Sequence, residues 1–417
     1  MKRALLVLLI LAAAATFTFA QVQKISWQVW VTPNLTREFY DGIVSAFQAK
    51  NPNIQVTIIE ANANVTPKAD DFFKTRLAAG DVPDVVSNLT IPFFADAGLL
   101  WQIPANDPDL KAVPNLQAAA YKGKLYGFNS SVQPQGLMFY NKKLFAQVGI
   151  TSVPKTWAEF DADCAKLQAA GITPILAGGQ WVAGYNFTIF TSPEIYHNDL
   201  NWYGDRWAGK VHFTDANYVE AANWFKSLVD KGYFNPGALS IDYSSLQDHF
   251  LQGEEAIYPM GSWFTAAEAS AQKDFDVGVF FSPTKDGKPH LLQSLSYGTT
   301  PAIYAKSKYP DAAWKLVKFA IMDSNFGAKF IQADGLYSAL KPPLTYPMSP
   351  LQNALGSLIQ TPATTSALYN LKVGDMPPDG ITDIYDKVGQ AILAGGVTDV
   401  KPLMQQLDDF WNQAKHP

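Results

Sequence analysis

Ile25-Ser26-Trp27-Gln28-Val29-Trp30-Val31 sets apolar Ile25, Trp27, Val29 and Val31 against Ser26, Gln28 and Trp30, and Thr32-Pro33-Asn34 interrupts it. A period of two marks a strand with one face turned to a core. Behind the break, Leu35, Phe39, Ile43 and Phe47 recur every fourth residue, the spacing of a helix face. Asn51-Pro52-Asn53 ends that helix, because proline cannot continue it and restrains the residue before it. Residues 54–59 read as a second strand, 68–79 as a helix stopped by Gly80, and 84–89 as a third strand. This order is the grammar of an α/β fold, a mostly parallel sheet with helices on its faces.

The same grammar returns beyond residue 135. Thr156 and Glu159 form a capping box that opens a helix ended by Gly171, and 172–177 reads as a strand. Residues 217–231 are predicted helical with Gly232 as the stop, Gly253 closes a further helix, and 256–260 is a strand. Helices are also predicted over 310–330, 379–393 and 399–414. No stretch rich in Pro, Gly or Ser separates the two α/β units, so a strand or tight crossover joins them.

Lys2 and Arg3 precede an apolar run over 4–15, and Thr18 and Ala20 suit a cleavage before Gln21. That pattern predicts an export signal over 1–20 and a periplasmic or extracellular mature chain. No cysteine stands near the cleavage point, so no lipid anchor is expected. The formal charge of −5 becomes about −7 once Lys2 and Arg3 leave, with no basic stripe, which argues against a nucleic-acid partner. Cys164, the single cysteine, cannot form an internal disulfide and is expected as a buried structural residue. Aromatic residues reach 13% of the chain, enough to supply both a core and a sugar-binding surface.

Several phrases then stand in a recognisable order. They are Leu77-Ala78-Ala79-Gly80-Asp81-Val82-Pro83-Asp84-Val85-Val86, Ala97-Gly98-Leu99-Leu100 and Tyr121-Lys122-Gly123-Lys124-Leu125-Tyr126-Gly127-Phe128. Phe139-Tyr140-Asn141-Lys142-Lys143-Leu144-Phe145 and Pro154-Lys155-Thr156-Trp157-Ala158-Glu159-Phe160 follow. Phe250-Leu251-Gln252-Gly253-Glu254-Glu255-Ala256 runs into Met260-Gly261-Ser262-Trp263, and Pro310-Asp311-Ala312-Ala313-Trp314 comes last. In this order the chain resembles the family 1 extracellular solute-binding proteins, the group that includes maltose-binding protein. The resemblance implies a two-lobed, type II-like periplasmic-binding-protein fold with hinge crossovers. One lobe would hold 22–133 and 291–335, the other 134–290 and 336–417. It also implies a monomer that closes on a sugar and docks on the permease subunits of an ABC importer, with no cofactor and no catalysis.

Sugars offer apolar faces that aromatic rings cover and hydroxyl rims that amides and carboxylates grip. In open parallel sheets such groups belong beyond the strand ends. Trp30 and Asn34 bracket the end of the first strand, although Asn34 also suits a helix cap. Asn88 and Thr90 end the third strand. Gln133 and Gln135 flank Pro134 at the first crossover, where the resemblance places a cleft-facing polar side chain. Gly178-Gly179-Gln180-Trp181, with Tyr185 nearby, follows a strand, and its glycines suit a close approach of backbone to ligand. Trp263 matches a family position that stacks on sugar. Tyr297, Tyr337 and Tyr385 are further candidates; the resemblance gives Tyr385 a stacking role, and packing or hinge roles are the alternatives for all three.

Other chemistry finds little support. The five histidines show no metal-helix spacing, and Glu194 with His197 lacks supporting ligands, so no metal is expected. Neither a GxxxxGK[ST] phosphate loop nor a GxSxG elbow occurs. A secreted glycoside hydrolase would need two facing carboxylates. A charged solute would want charged groups at the strand ends. The favoured strand-end candidates carry neither and are neutral.

Overall fold

The computed structural model describes residues 21–62, 68–114, 116–128, 130–288, 301–359 and 375–415, with backbone only at 62 and 118. The opening strand is β1 (Gln23–Val31), with Ile25, Trp27 and Val29 buried. Helix α1 (Arg37–Lys50) starts at Thr36, whose hydroxyl accepts from the Phe39 N–H, so Asn34 is not its cap. β2 (Ile54–Asn62), α2 (Ala69–Ala79), β3 (Val85–Val86) and α3 (Ile91–Asp96) follow. β3 is shorter than expected. The Asp84 carboxylate is engaged by Ser26 and Ser307, and Asn88 turns into the left-handed region at φ 63°, which ends the extended run.

A short strand, β4 (Ser131–Val132), leads out of this lobe into β5 (Leu137–Asn141) and the helices α4 (Lys142–Gln147) and α5 (Trp157–Ala169). The capping box of Thr156 and Glu159 is present. β6 (Thr173–Ile175), α6 (Trp181–Tyr196), α7 (Trp202–Trp207), α8 (Ala216–Asp230) and α9 (Tyr243–Gln252) come next. β7 (Glu255–Met260), α10 (Phe264–Ser270) and β8 (Val277–Phe281) complete the sheet of the second lobe. Helix α6 is buried nearly all round and so shows no amphipathic stripe.

The chain returns through β9 (Ala302–Ile303), α11 (Pro310–Met322) and α12 (Phe326–Ala333) to the first lobe, then passes β10 (Tyr337–Ser338). α13 (Pro350–Ile359), α14 (Ile381–Leu393) and α15 (Lys401–Gln413) belong to the second lobe. The expected single helix over 310–330 is broken. Asp323 takes an extended conformation, and its carboxylate accepts from the N–H groups of Asn325 and Phe326 to restart the helix.

The first sheet runs β2-β1-β3-β9, parallel except for β9; the second runs β6-β7-β5-β8, with β5 opposed to both neighbours. Each sheet thus has three strands one way and one reversed. In the second sheet the reversed strand is inserted, so two of its three pairings are antiparallel, which the expectation of mostly parallel sheets missed. β4 and β10 pair antiparallel between the lobes, Val132 opposite Tyr337. The first core gathers Trp27, Ile43, Phe47 and Trp314. β5 is buried on both faces: Met138 packs with Phe160, Phe187 and Ile257, while Leu137 and Phe139 pack with Phe250 and Phe264. Cys164 is buried in that second lobe. Leu340 and Leu344 pack into the first core, and the Lys341 N–H donates to the Ala112 carbonyl. Beyond the expected boundary after residue 335 the chain thus contributes to both cores, since Tyr337 packs against the second.

Candidate functional site

Three connections converge between the lobes: the run from β4 to β5, the turn from β7 into α10, and the passage from α12 to β10. The Ser262 N–H donates to the Pro134 carbonyl at 2.9 Å, fixing the first two together. The third presses in at Gly335, where φ is 57° and an added Cβ would lie 2.4 Å from the Ser262 carbonyl oxygen. Only glycine fits that approach. The chain thereby carries Asp334, the last residue before Gly335, into the gap.

Asp334 is a candidate that the sequence did not disclose. Its carboxylate accepts from Gln133 Nε2 at 3.3 Å, and Gln133 Oε1 accepts from Gln135 Nε2 at 3.3 Å. Burial pushes the Asp334 acid up to about 7, with the Asn34 amide pulling it back. Asn34 itself crosses between lobes and donates to the Trp263 carbonyl at 2.9 Å. Asn34, Gln133, Gln135 and Asp334 thus form one polar network, in which Asp334 adds an acidic group to the neutral strand-end candidates.

An aromatic wall continues from it on the second lobe. The half-buried Trp263 ring folds over Gly261, where an added Cβ would come within 2.0 Å of it. The ring lies 5.6 Å from that of Tyr185, which is 5.8 Å from Trp181, which is 4.9 Å from Tyr243. Burial raises the Tyr243 hydroxyl well above its ordinary range; Asp334 adds to this and a Trp263 hydrogen bond opposes it. Tyr243 is a second candidate the sequence did not single out, because its position early in α9 carries no strand-end signal. The glycines at 178 and 179 serve packing instead: an added Cβ would meet Leu246 at 2.6 Å and the Leu239 carbonyl at 2.3 Å.

The other candidates scatter. Trp30 is half-buried at the end of β1, its carbonyl accepting from the Tyr40 hydroxyl. Asn88 is exposed, and the Thr90 N–H donates to Asp70 Oδ1. Beside Thr90 the lobes meet again: Lys74 pairs with Asp379 at 2.9 Å, and Lys68 pairs with Asp383. Burial and the facing Asp379 raise Asp70 to about 6. Tyr337 sits in the inter-lobe strand pair, its hydroxyl donating to the Gln352 carbonyl. Tyr385 is corrected outright. It lies in the core against Phe187 and Phe213, because Gly184 of α6 and Gly389 of α14 let those helices cross closely and turn it inward. Tyr297 lies outside the described residues.

A two-lobed α/β chain whose lobes meet through polar contacts beside a row of aromatic rings has a sequence counterpart: the model of the bacterial extracellular solute-binding proteins matches residues 32–324. The chain belongs to that family. It is a binding protein and not an enzyme. A multiple sugar-binding protein of Streptococcus mutans is 27% identical over 334 residues, covering 74% of each chain. A diacetylchitobiose binding protein of Streptomyces coelicolor is 27% identical over 266 residues, covering 61% of this chain and 60% of its own. Among solved structures, a chitin oligosaccharide binding protein superposes with TM-score 0.76 at 24% identity, covering 94% of this chain and 98% of its own. The solute-binding family and its periplasmic-binding-protein fold thus rest on both sequence and structure. Among the described residues no helix is long and apolar enough to cross a membrane.

Proposed function

We propose that this solute-binding protein is exported, captures an oligosaccharide between its lobes, and delivers it to the permease subunits of an ABC importer. The observation that carries the proposal is the pairing of the Trp263–Tyr185–Trp181–Tyr243 wall with the polar network of Asn34, Gln133, Gln135 and Asp334. Rings cover the C–H face of a pyranose, and amides with a carboxylate grip its hydroxyls. Trp30, Asn88 and Thr90 act as rim contacts in this reading. The named ligands of the relatives, multiple sugars and diacetylchitobiose among them, support the same solute class.

Titration calorimetry against a panel of di- to tetrasaccharides tests the ligand class. At least one sugar should bind at micromolar concentration or below and shrink the radius of gyration in solution scattering, because it must touch both lobes to favour closure. Failure of every oligosaccharide to bind would refute the solute class. Export has its own check. The intact mass of the secreted chain should correspond to a start at Gln21, and retention of residues 1–20 would overturn the cleavage.

A further inference from the structure

Far from the cleft, the turn between α9 and β7 gathers three metal-capable side chains. His249 lies in the last turn of α9, Gly253 ends that helix at φ 83°, and Glu254 leads into Glu255, the first residue of β7. One ligand-capable atom from each of His249, Glu254 and Glu255 lies within 4.8 Å of the other two. His249 Nδ1 stands 3.3 Å from Glu254 Oε2. Glu255 is only 5% exposed, and its Oε2 has no hydrogen-bond partner among the described residues. A carboxylate oxygen withdrawn from water calls for a donor or a cation, and Glu254 beside it can only accept. The turn runs close to the Phe275 ring, which an added Cβ at Gly253 would meet at 3.3 Å.

We propose that His249, Glu254 and Glu255 bind a divalent transition-metal ion of the zinc class. One imidazole with two carboxylates is a nitrogen–oxygen donor set that suits such ions, while calcium and magnesium prefer oxygen alone. Ligand atoms at ~2.1 Å from a tetrahedral ion stand about 3.4 Å apart, so the present spread of at most 4.8 Å would have to close by small side-chain rotations. Two carboxylates balance the double charge, and a fourth position is left for water. The site lies at the opposite end of β7 from Trp263. At about 3.3 Å per residue, roughly 17 Å of strand separates Glu255 from Met260. The ion would tie α9 to β7 and leave the sugar contacts untouched. No motif announced it, because the three residues become neighbours only through the turn at Gly253.

The test uses the untagged mature chain, stripped with chelator and titrated with zinc in competition with a chromogenic chelator. The expected result is one site with Kd below about 10 μM, at least a tenfold loss in Glu255→Gln and in His249→Gln, and a rise in melting temperature on zinc addition that both variants lack. Glu255→Gln keeps the shape of the buried side chain, and the half-exposed His249→Gln guards against a folding defect in the first variant. Sugar affinity should be the same in all three proteins. No saturable binding up to 1 mM zinc would overturn the proposal, as would variants that bind zinc like the wild type.

Discussion

Trp263→Ala is expected to weaken sugar binding by ~30- to 1000-fold while leaving the unliganded fold nearly as stable as before. A central aromatic anchor typically costs ~2–4 kcal/mol of binding when truncated. The ring is half-buried, resting on Gly261 and tilted against Tyr185, so its loss opens a wall and does not hollow a core. A buried tryptophan would behave the other way, with ~3–5 kcal/mol lost from stability. Thermal unfolding of the sugar-free variant and calorimetry of the same sample decide the matter. A large fall in stability with tight binding retained would remove Trp263 from the ligand surface.

Sugar affinity is expected to climb as pH rises through about 7, and Asp334→Asn should flatten that climb. Burial holds the Asp334 acid at about 7, and sugar hydroxyls donate to its ionised form. Binding is therefore strongest above that pH and falls by up to ~10-fold per unit below it, near 100-fold between pH 8 and pH 5. Stability runs in the opposite sense. The folded pKa lies above the ordinary carboxylate value near 4, so the native state holds the extra proton between about 4 and 7. Stability falls as pH rises through that window, by at most ~4 kcal/mol from this group. Glu255 and Asp386, each raised by burial to about 7, contribute with the same sign, so Asp334→Asn should reduce this slope without abolishing it. Calorimetry of both proteins from pH 5 to 8 is the measurement. An equal pH slope of affinity in wild type and variant would show that Asp334 does not contact the ligand.

Much of the fold was legible because its signals are local. The alternation of Ile25, Trp27 and Val29, the four-residue spacing from Leu35 to Phe47, and the capping box at Thr156 act within a few residues, and the elements stand where those patterns put them. Two kinds of element were not legible. Helix α6 is wrapped by neighbours on every side, so periodicity had no polar face to reveal it. The break between α11 and α12 depends on the Asp323 carboxylate capping the following turn and on the close approach of Gly327 to Ile321, which a lone glycine inside an apolar run does not announce. The site divides the same way. Asn34, Gln133, Trp181 and Trp263 follow strand ends or a crossover, which is why a sequence reading proposes them. Asp334 reaches the cleft only because Gly335 allows a late segment to press on Ser262, more than 70 residues away in sequence. Tyr385 failed for a related reason. A sequence position in a late helix does not say which way the helix turns, and the glycine crossing with α6 turned this one inward.

The pairing of Val85 with Ile303 sets a schedule for the birth of the molecule. The first sheet acquires its fourth strand only after the entire sheet of the second lobe has been synthesised, so no lobe can be finished from the leading end of the nascent chain alone. Contacts so distant in sequence close slowly, since loop entropy is lost before the pairing rewards it. For a chain threaded through a membrane as an extended polymer, that delay is useful. Under the proposed export, the leading lobe would lack its last strand, and stay open to the translocation machinery, until residues beyond 301 arrive.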